Sequence, residues 1–349
     1  MYTELSSMLR KEKGLGESRR SRIVGHFGNI SNVTSYNFAR HCKSFLGAPM
    51  RQTRRQFLQT STFMAAALPL LGAASGNRLP IGFSTLGCPT WEWGKILDFA
   101  QANGFSAVEL RGLMGSMDLP SRPEFAPDRI EQSKKEVAAH GLKISCVSSS
   151  SEMHHKDPAK RAQQLADAHK FIDLASALGA PNVRVFGNKI EGPQDEVVTW
   201  VADGLRQLGE YAGPKNVTVI IESHGDFTTS PILKGVLEKA NHPNVALLWD
   251  ANHTFVDGKE DPAVTLEQLG KYVRHTHLKD SVMQGDKSHY VLTGRGEVPL
   301  KKQVQLLAAR GYTGSFSFEW EKVWHPDLEE PEVAIADYAK VVGGYLKEK

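Results

Sequence analysis

Cysteine is scarce, with three in 349 residues, and that excludes a disulfide-built scaffold. Membrane-spanning helices need about 20 consecutive apolar residues. The run Phe63–Leu71 stops far short of that, and no other run is long enough. A large surplus of one charge sign is missing too: 42 Lys and Arg stand against 39 Asp and Glu, a formal net charge of +3. Residues 1–74 hold 11 of the basic and 3 of the acidic side chains, which leaves 31 against 36 for the remainder. The body of the chain is therefore acidic and lacks the electrostatic footprint of a nucleic-acid-binding protein. No G-x-G-x-x-G follows the first predicted strand, which speaks against a dinucleotide-binding sheet. What is present is a globular composition, 40% hydrophobic and 23% charged, with ample material for a large core.

Residues Met50 to Gly76 read MRQTRRQFLQTSTFMAAALPLLGAASG. A charged start, a short apolar run and then small residues is the order of a cleaved export signal. Within it Thr53-Arg54-Arg55-Gln56-Phe57-Leu58-Gln59 resembles the twin-arginine signal, whose pathway exports folded proteins. An interfacial amphipathic helix is the alternative. Residues 1–49 have no consistent period and are expected to be a mis-called extension ahead of a true start at Met50. On this reading residues 50–74 are removed, the mature chain begins near Ser75, and it works in the periplasm or outside the cell without stable membrane insertion. Cys88 and Cys146, each near a predicted strand end, are expected to be buried thiols rather than a disulfide.

From Leu79 onward, short β-branched runs alternate with helical patterns. The predicted strands are Ile81–Ser84, Ala107–Leu110, Lys143–Val147, Asn182–Phe186, Val217–Ile221, Val245–Trp249, Val273–His277 and Ser315–Phe318. Helical stretches between them include Gly94–Ala102, Asp128–Ala139, Pro158–Leu178 and Lys301–Ala309, each followed within two residues by a stop glycine. Eight such units over residues 79–349 match a closed α/β barrel of the (β/α)8, or TIM-barrel, kind. Pro331–Leu346 is a final amphipathic helix on the barrel's exterior, and no second domain is needed.

Barrels of this kind carry their chemistry at the C-terminal ends of the strands. There the fifth strand leads into Glu222 and His224, the sixth into Asp250 and His253, the seventh into His275, His277, Lys279 and Asp280, and the eighth into Glu319 and Glu321. Charges gathered at one rim after buried apolar runs need compensation. One divalent cation held by Glu222, Asp250, His277 and Glu319 supplies it. The set is hard and oxygen-rich, which suits Mn²⁺ first, with Co²⁺, Mg²⁺ or Zn²⁺ as alternatives. A salt-bridge network with Lys279 and Arg295 as counter-ions is the rival account of the same residues. His275 and His277 face the same way, and His277, nearer the rim, is taken as the ligand. His253 is read as a substrate or outer-sphere residue.

These residues resemble the xylose isomerase-like barrel superfamily, specifically the sugar phosphate isomerase/epimerases. Glu222 within IIESHG, Asp250-x-x-His253, His277-Leu-Lys-Asp280 and Glu319 within FSFEWE follow that group's metal-site motifs in order, and Gly294-Arg295-Gly296-Glu297-Val298-Pro299 is similar to its loop after strand seven. The resemblance spans essentially Leu79–Lys349. It implies Glu222 and Glu319 as the acid/base pair of a proton abstraction next to a carbonyl, through an enediolate. It also implies His224, His253, Glu109, Arg111 and Lys279 as substrate-binding residues and a small sugar as substrate, in a chain that could form a homo-oligomer. The ketose 3-epimerases of the group carry a substrate-binding Arg shortly after the strand-seven His; here the stretch is Ser281-Val282-Met283. Export favours a free sugar or keto-sugar over a phosphorylated one.

Three rivals to an isomerase share parts of this pattern. Apurinic endonucleases share Glu222, Asp250, His253, His277 and Glu319, but need further His ligands on strands two and three and an Asp-x-His that Asp286 and His289 do not supply. A metal-dependent lyase, hydrolase or dehydratase acting on a keto-glycoside or inosose begins with the same proton abstraction and then expels a β-oxygen. A non-catalytic sugar-binding module would need a lost ligand, and all four are present. Trp91, Trp93, Trp320 and Trp324 are candidates to line the mouth, or to pack between barrel and helices.

Overall fold

The computed structural model describes residues 78–348. The expected extension, the twin-arginine signal, the start near Ser75 and Cys42 lie outside them. The strands are β1 (Ile81–Ser84), β2 (Ala107–Leu110), β3 (Lys143–Glu152), β4 (Asn182–Asn188), β5 (Thr218–Gly225), β6 (Val245–Asp250), β7 (Val273–Leu278), β8 (Asp280–Gln284), β9 (Lys287–Val291) and β10 (Phe316–Phe318). Eight of them close a parallel barrel in the order β1-β10-β7-β6-β5-β4-β3-β2. Ile81 opposite Phe316 and Gly82 opposite Ala107 stitch the first strand to the last and to the second. This is the expected (β/α)8 architecture.

Helices between the strands wrap the outside: α1 (Trp93–Ala102), α2 (Ile130–Ala139), α3 (Pro158–Leu178), α4 (Gln194–Ala212), α5 (Ser230–Ala240), α6 (Ala251–Val256), α7 (Pro262–Leu269), α8 (Leu300–Ala309) and α9 (Pro331–Tyr345). Local chemistry sets their ends. Asp157 accepts the Ala159 N–H at the start of α3, and Pro158 occupies its first turn; both satisfy a helix start that lacks carbonyl partners. Gly179 stops α3 at φ +74°, a conformation only glycine enters without strain. No described helix is long and apolar enough to cross a membrane.

Two packing zones result. The larger core lies between the strands and the helices, with Phe83, Ile96, Val219, Trp249 and Tyr338 fully buried in it. Cys146, Ile220, Ala246 and Leu248 form a separate small cluster. Their pleat positions alternate with the outward ones, so they line the lumen. The same parity carries Glu222 two residues beyond Ile220 and Asp250 two beyond Leu248. Cys88 and Cys146 are free buried thiols.

One element departs from expectation. Residues that read as loop after β7 form the antiparallel hairpin β8–β9, paired from Asp280–Val291 to Gln284–Lys287 and turned at Gly285, φ +64°. Behind it, Asp280 accepts backbone N–H bonds from Ser281, Gly294, Gly296 and Val298. A Cβ at Gly296 would meet Asp280 Oδ1 at 2.1 Å, so the loop closes on that carboxylate only because the residue is glycine.

Candidate metal centre

Strands β5, β6, β7 and β10 bring Glu222, Asp250, His277 and Glu319 together, each offering an atom within 4.8 Å of the others. All four are buried. Asp250 divides its work: Oδ1 accepts the N–H groups of Asn252 and His253, both at 3.0 Å, and so caps α6. Its Oδ2 is left facing the lumen, 3.8 Å from His277 Nδ1. That Nδ1 also stands 3.3 Å from Glu222 Oε1 and 3.2 Å from Glu319 Oε1. On the other side of the ring, His277 Nε2 lies 2.9 Å from Glu109 Oε2.

Charge decides what this arrangement accommodates. Glu109, Glu222, Asp250, Glu319 and Glu321 surround three fixed cations, Arg111, Arg184 and Lys279. Lys279 Nζ donates to Asp250 Oδ2 at 2.6 Å and to Glu319, and pairs with Glu321 at 2.9 Å. Burial works against that ammonium, but the three carboxylates win and hold its pKa above the usual lysine value. Burial likewise raises the Glu222 carboxyl, yet Arg184 and His277 bring it down to about 2. Glu319 is also held low, against burial, by His277 and Lys279. His277 in turn is pushed up, against burial, by Glu109, Glu319 and Glu222.

A divalent ion fits this donor set. Glu222 Oε2 is buried and accepts no hydrogen bond; although Arg184 Nε lies 3.2 Å away, the pair is not aligned as one. A buried carboxylate oxygen without a partner is costly, and coordination satisfies it. Three carboxylates and one imidazole match hard or borderline cations.

The remaining expected site residues fall in different places. His253 and His224 sit beside the centre with their rings edge to face, 5.0 Å apart. His253 Nδ1 is 2.7 Å from Asp257 Oδ2 and its Nε2 is 3.8 Å from Asp250 Oδ2. Burial lowers the His253 pKa, but Asp250 overcomes it and lifts the group to about 9. Burial keeps His224 below the usual imidazole value. Arg111 is buried at the end of β2, near Met117 sulfur, and burial together with Arg184 pushes its pKa down.

Glu109 and Lys279, expected to bind the sugar, are both enclosed among charged partners. Glu109 is wholly buried in the lumen, where it meets His275 Nε2 at 2.8 Å and His277, and accepts from Ser148 at 2.7 Å. The inward pleat position that Glu109 shares with His277 explains this. Lys279 is enclosed by its three carboxylates, whereas Arg295, the other counter-ion of the salt-bridge account, pairs with Asp337 at the surface. Trp91, Trp93 and Trp320 are buried; Trp320 Nε1 donates to Glu329 O and Trp93 Nε1 to Glu136. Of the four, Trp324 is exposed.

Several participants escaped the sequence reading. Arg184, inward on β4, has its guanidinium 3.8 Å from the Phe186 ring. Asn188 ends β4 at φ +68° and bonds His224. Tyr290, on the hairpin, donates to Glu321 at 2.8 Å. The signal for Arg184 was available in strand parity, two residues after Asn182. That for Tyr290 depended on the hairpin.

The xylose isomerase-like TIM barrel family matches residues 97–340. Among relatives by sequence, an inosose dehydratase of Geobacillus thermodenitrificans is 26% identical over 248 residues, covering 62% of this chain and 79% of that protein. Among solved structures, an IOLI protein with a bound zinc atom superposes with a TM-score of 0.64 at 18% identity, over 77% of this chain and 98% of that one. D-psicose 3-epimerase from Clostridium cellulolyticum, solved with D-tagatose, gives 0.62 at 17% identity, over 78% and 100%.

Proposed function

This chain belongs to the xylose isomerase-like TIM barrel family, and on that premise we propose that it is a divalent-metal enzyme acting on a free keto-sugar or an inosose. The reaction is removal of a proton next to the carbonyl followed by loss of a β-oxygen, a dehydration or related elimination. The observation that carries the reading is the convergence of Glu222, Asp250, His277 and Glu319 in one buried cluster, in a chain whose sequence relatives include inosose dehydratases.

Glu222, Asp250, His277 and Glu319 are the residues that would hold the ion, with Mn²⁺ the first choice and Co²⁺, Mg²⁺ or Zn²⁺ the alternatives. When bound, the ion supplies a Lewis acid that polarises the substrate carbonyl and stabilises negative charge on its oxygen. One of Glu222 and Glu319 takes the α-proton; both are ionised at neutral pH and able to accept it. The electrons of the broken C–H bond form the new double bond, and on their return the C–O bond at the β-carbon breaks. The departing hydroxyl leaves as water with a proton from His253, whose Nδ1 is held by Asp257. His224 and Arg111 hold substrate hydroxyls, and Lys279 holds the Asp250 and Glu319 side chains in place.

A second reading is epimerisation, in which the second glutamate returns the proton to the opposite face. It is favoured by the two glutamates coming from β5 and β10, three places apart around the ring. The residues Thr53–Gln59 support export of the chain through the twin-arginine pathway, with residues 50–74 removed.

The test uses the full chain, stripped of metal and reloaded with Mn²⁺, incubated with an inosose and a panel of free ketoses in D₂O. Proton NMR is expected to show solvent deuterium next to the carbonyl and the dehydrated product, both abolished by chelator. Deuterium entry with an inverted centre and no loss of water would replace dehydration by epimerisation. No chelator-sensitive exchange on any of them would overturn both.

A further inference from the structure

A second cluster of ligand-type side chains stands at the end of β3. Glu152 closes the strand, and His154 and His155 follow it before α3. One atom from each lies within 4.8 Å of the others. His155 Nε2 is 3.3 Å from Glu152 Oε2, and the two imidazole rings are 4.2 Å apart, tilted by 45°.

Three features separate this cluster from a chance ion pair. His154 is 6% exposed, and its Nδ1 has no hydrogen-bond partner; a buried ring nitrogen of this kind is normally satisfied. Burial lowers the pKa of both imidazoles, so each keeps the lone pair that coordination requires. Glu152 is already oriented: its Oε1 accepts from Asn188 Nδ2 at 2.7 Å, which leaves Oε2 for the imidazole side. Ligands held by such outer partners are pre-set for a metal. The Glu152 side chain is 32% exposed, which gives an ion a way in from solvent.

We propose that Glu152, His154 and His155 form a second metal site, one of zinc type, separate from the oxygen-rich centre. Two neutral imidazoles and one carboxylate make a borderline-soft set that suits Zn²⁺, with a fourth position open to water. The two sites thus differ in the metal they prefer: three carboxylates and an imidazole at one, two imidazoles and a carboxylate at the other. They are joined by a single residue, because Asn188 bonds Glu152 through Nδ2 and meets His224 Nδ1 at 3.1 Å through Oδ1. A zinc ion there ties the ends of β3 and β4 to His224. The proposal does not depend on which reaction the first centre performs.

The experiment is zinc binding by the metal-free full chain, read by calorimetry against a chelator of fixed affinity. Wild-type protein is expected to take two equivalents, and the double variant Glu222→Gln with Asp250→Asn one. Adding His154→Gln, or separately His155→Gln, should weaken that remaining equivalent by more than about 100-fold, beyond what loss of an outer partner costs. Circular dichroism checks that each variant is folded, and the two histidine variants guard against failure of either. Retention of the equivalent in both histidine variants overturns the site, as does absence of zinc binding in the Glu222/Asp250 double variant.

Discussion

His277 and Glu109, carried on β7 and β2, meet inside the barrel with Nε2 2.9 Å from Oε2. The contact sets the direction of the ring: Nε2 points at the Glu109 carboxylate, and Nδ1 faces Glu222, Asp250 and Glu319. A carboxylate behind a ligating histidine orients the ring and raises its basicity. Glu109 is thus a positioning residue, itself braced by His275 and Ser148.

Replacing Glu109 with Gln is therefore expected to weaken divalent-metal binding by about 10–100-fold while the barrel stays folded. Competition with a coloured chelator measures the affinity. Wild-type affinity in the variant would mean that the ring holds its orientation without the carboxylate.

Glu222→Gln and Glu319→Gln should each lower turnover by at least about 10²–10⁴-fold, the range that a positioned acid or base contributes. Circular dichroism spectra should be unchanged, since each side chain stands at the mouth end of its strand. Full turnover in either variant would remove that glutamate from the proton transfer.

Lys279 is the sole ammonium among Asp250, Glu319 and Glu321 in the contacts described. Lys279→Met leaves those carboxylates without their cation, and removing one partner of a buried ion pair costs about 3–5 kcal/mol. Urea unfolding of the metal-free protein should register that loss. An unchanged midpoint would show that the carboxylates take up protons or solvent at little cost.

His253 predicts the pH dependence of the metal-free protein. Burial lowers its pKa, but Asp250 raises it in the folded state to about 9, above the roughly 6.5 of an unfolded imidazole. A group raised on folding contributes stability that is complete below its unfolded pKa and disappears as pH climbs through the folded value. Stability should fall between about pH 6.5 and 9. His253→Asn should flatten that part of the curve, as followed by thermal melts in chelator. An identical slope in the variant would assign the titration to another group.

Much of this was legible in the chain. The strands came out of β-branched runs, and the four clustered residues came out of their shared place just past those runs, which is a matter of pleat parity and strand ends. What escaped needed distances between strands. That Glu109 would turn inward to His277, or that Lys279 would meet Asp250, Glu319 and Glu321 together, depends on how β2 and β10 sit across the lumen from β7. The hairpin escaped because its two strands, β8 and β9, are five residues each, too short for their alternation to stand out. Of the readings above, the dehydratase has the sequence relatives on its side.

The hairpin is also a modular device. Its base is tied down by one carboxylate, Asp280, which gathers four backbone N–H groups from both flanks. Its tip at Gly285 and Asp286 is free of that knot. Changes in length or composition at the tip can therefore be absorbed without shifting β7, which carries His277, or the loop that leads into α8.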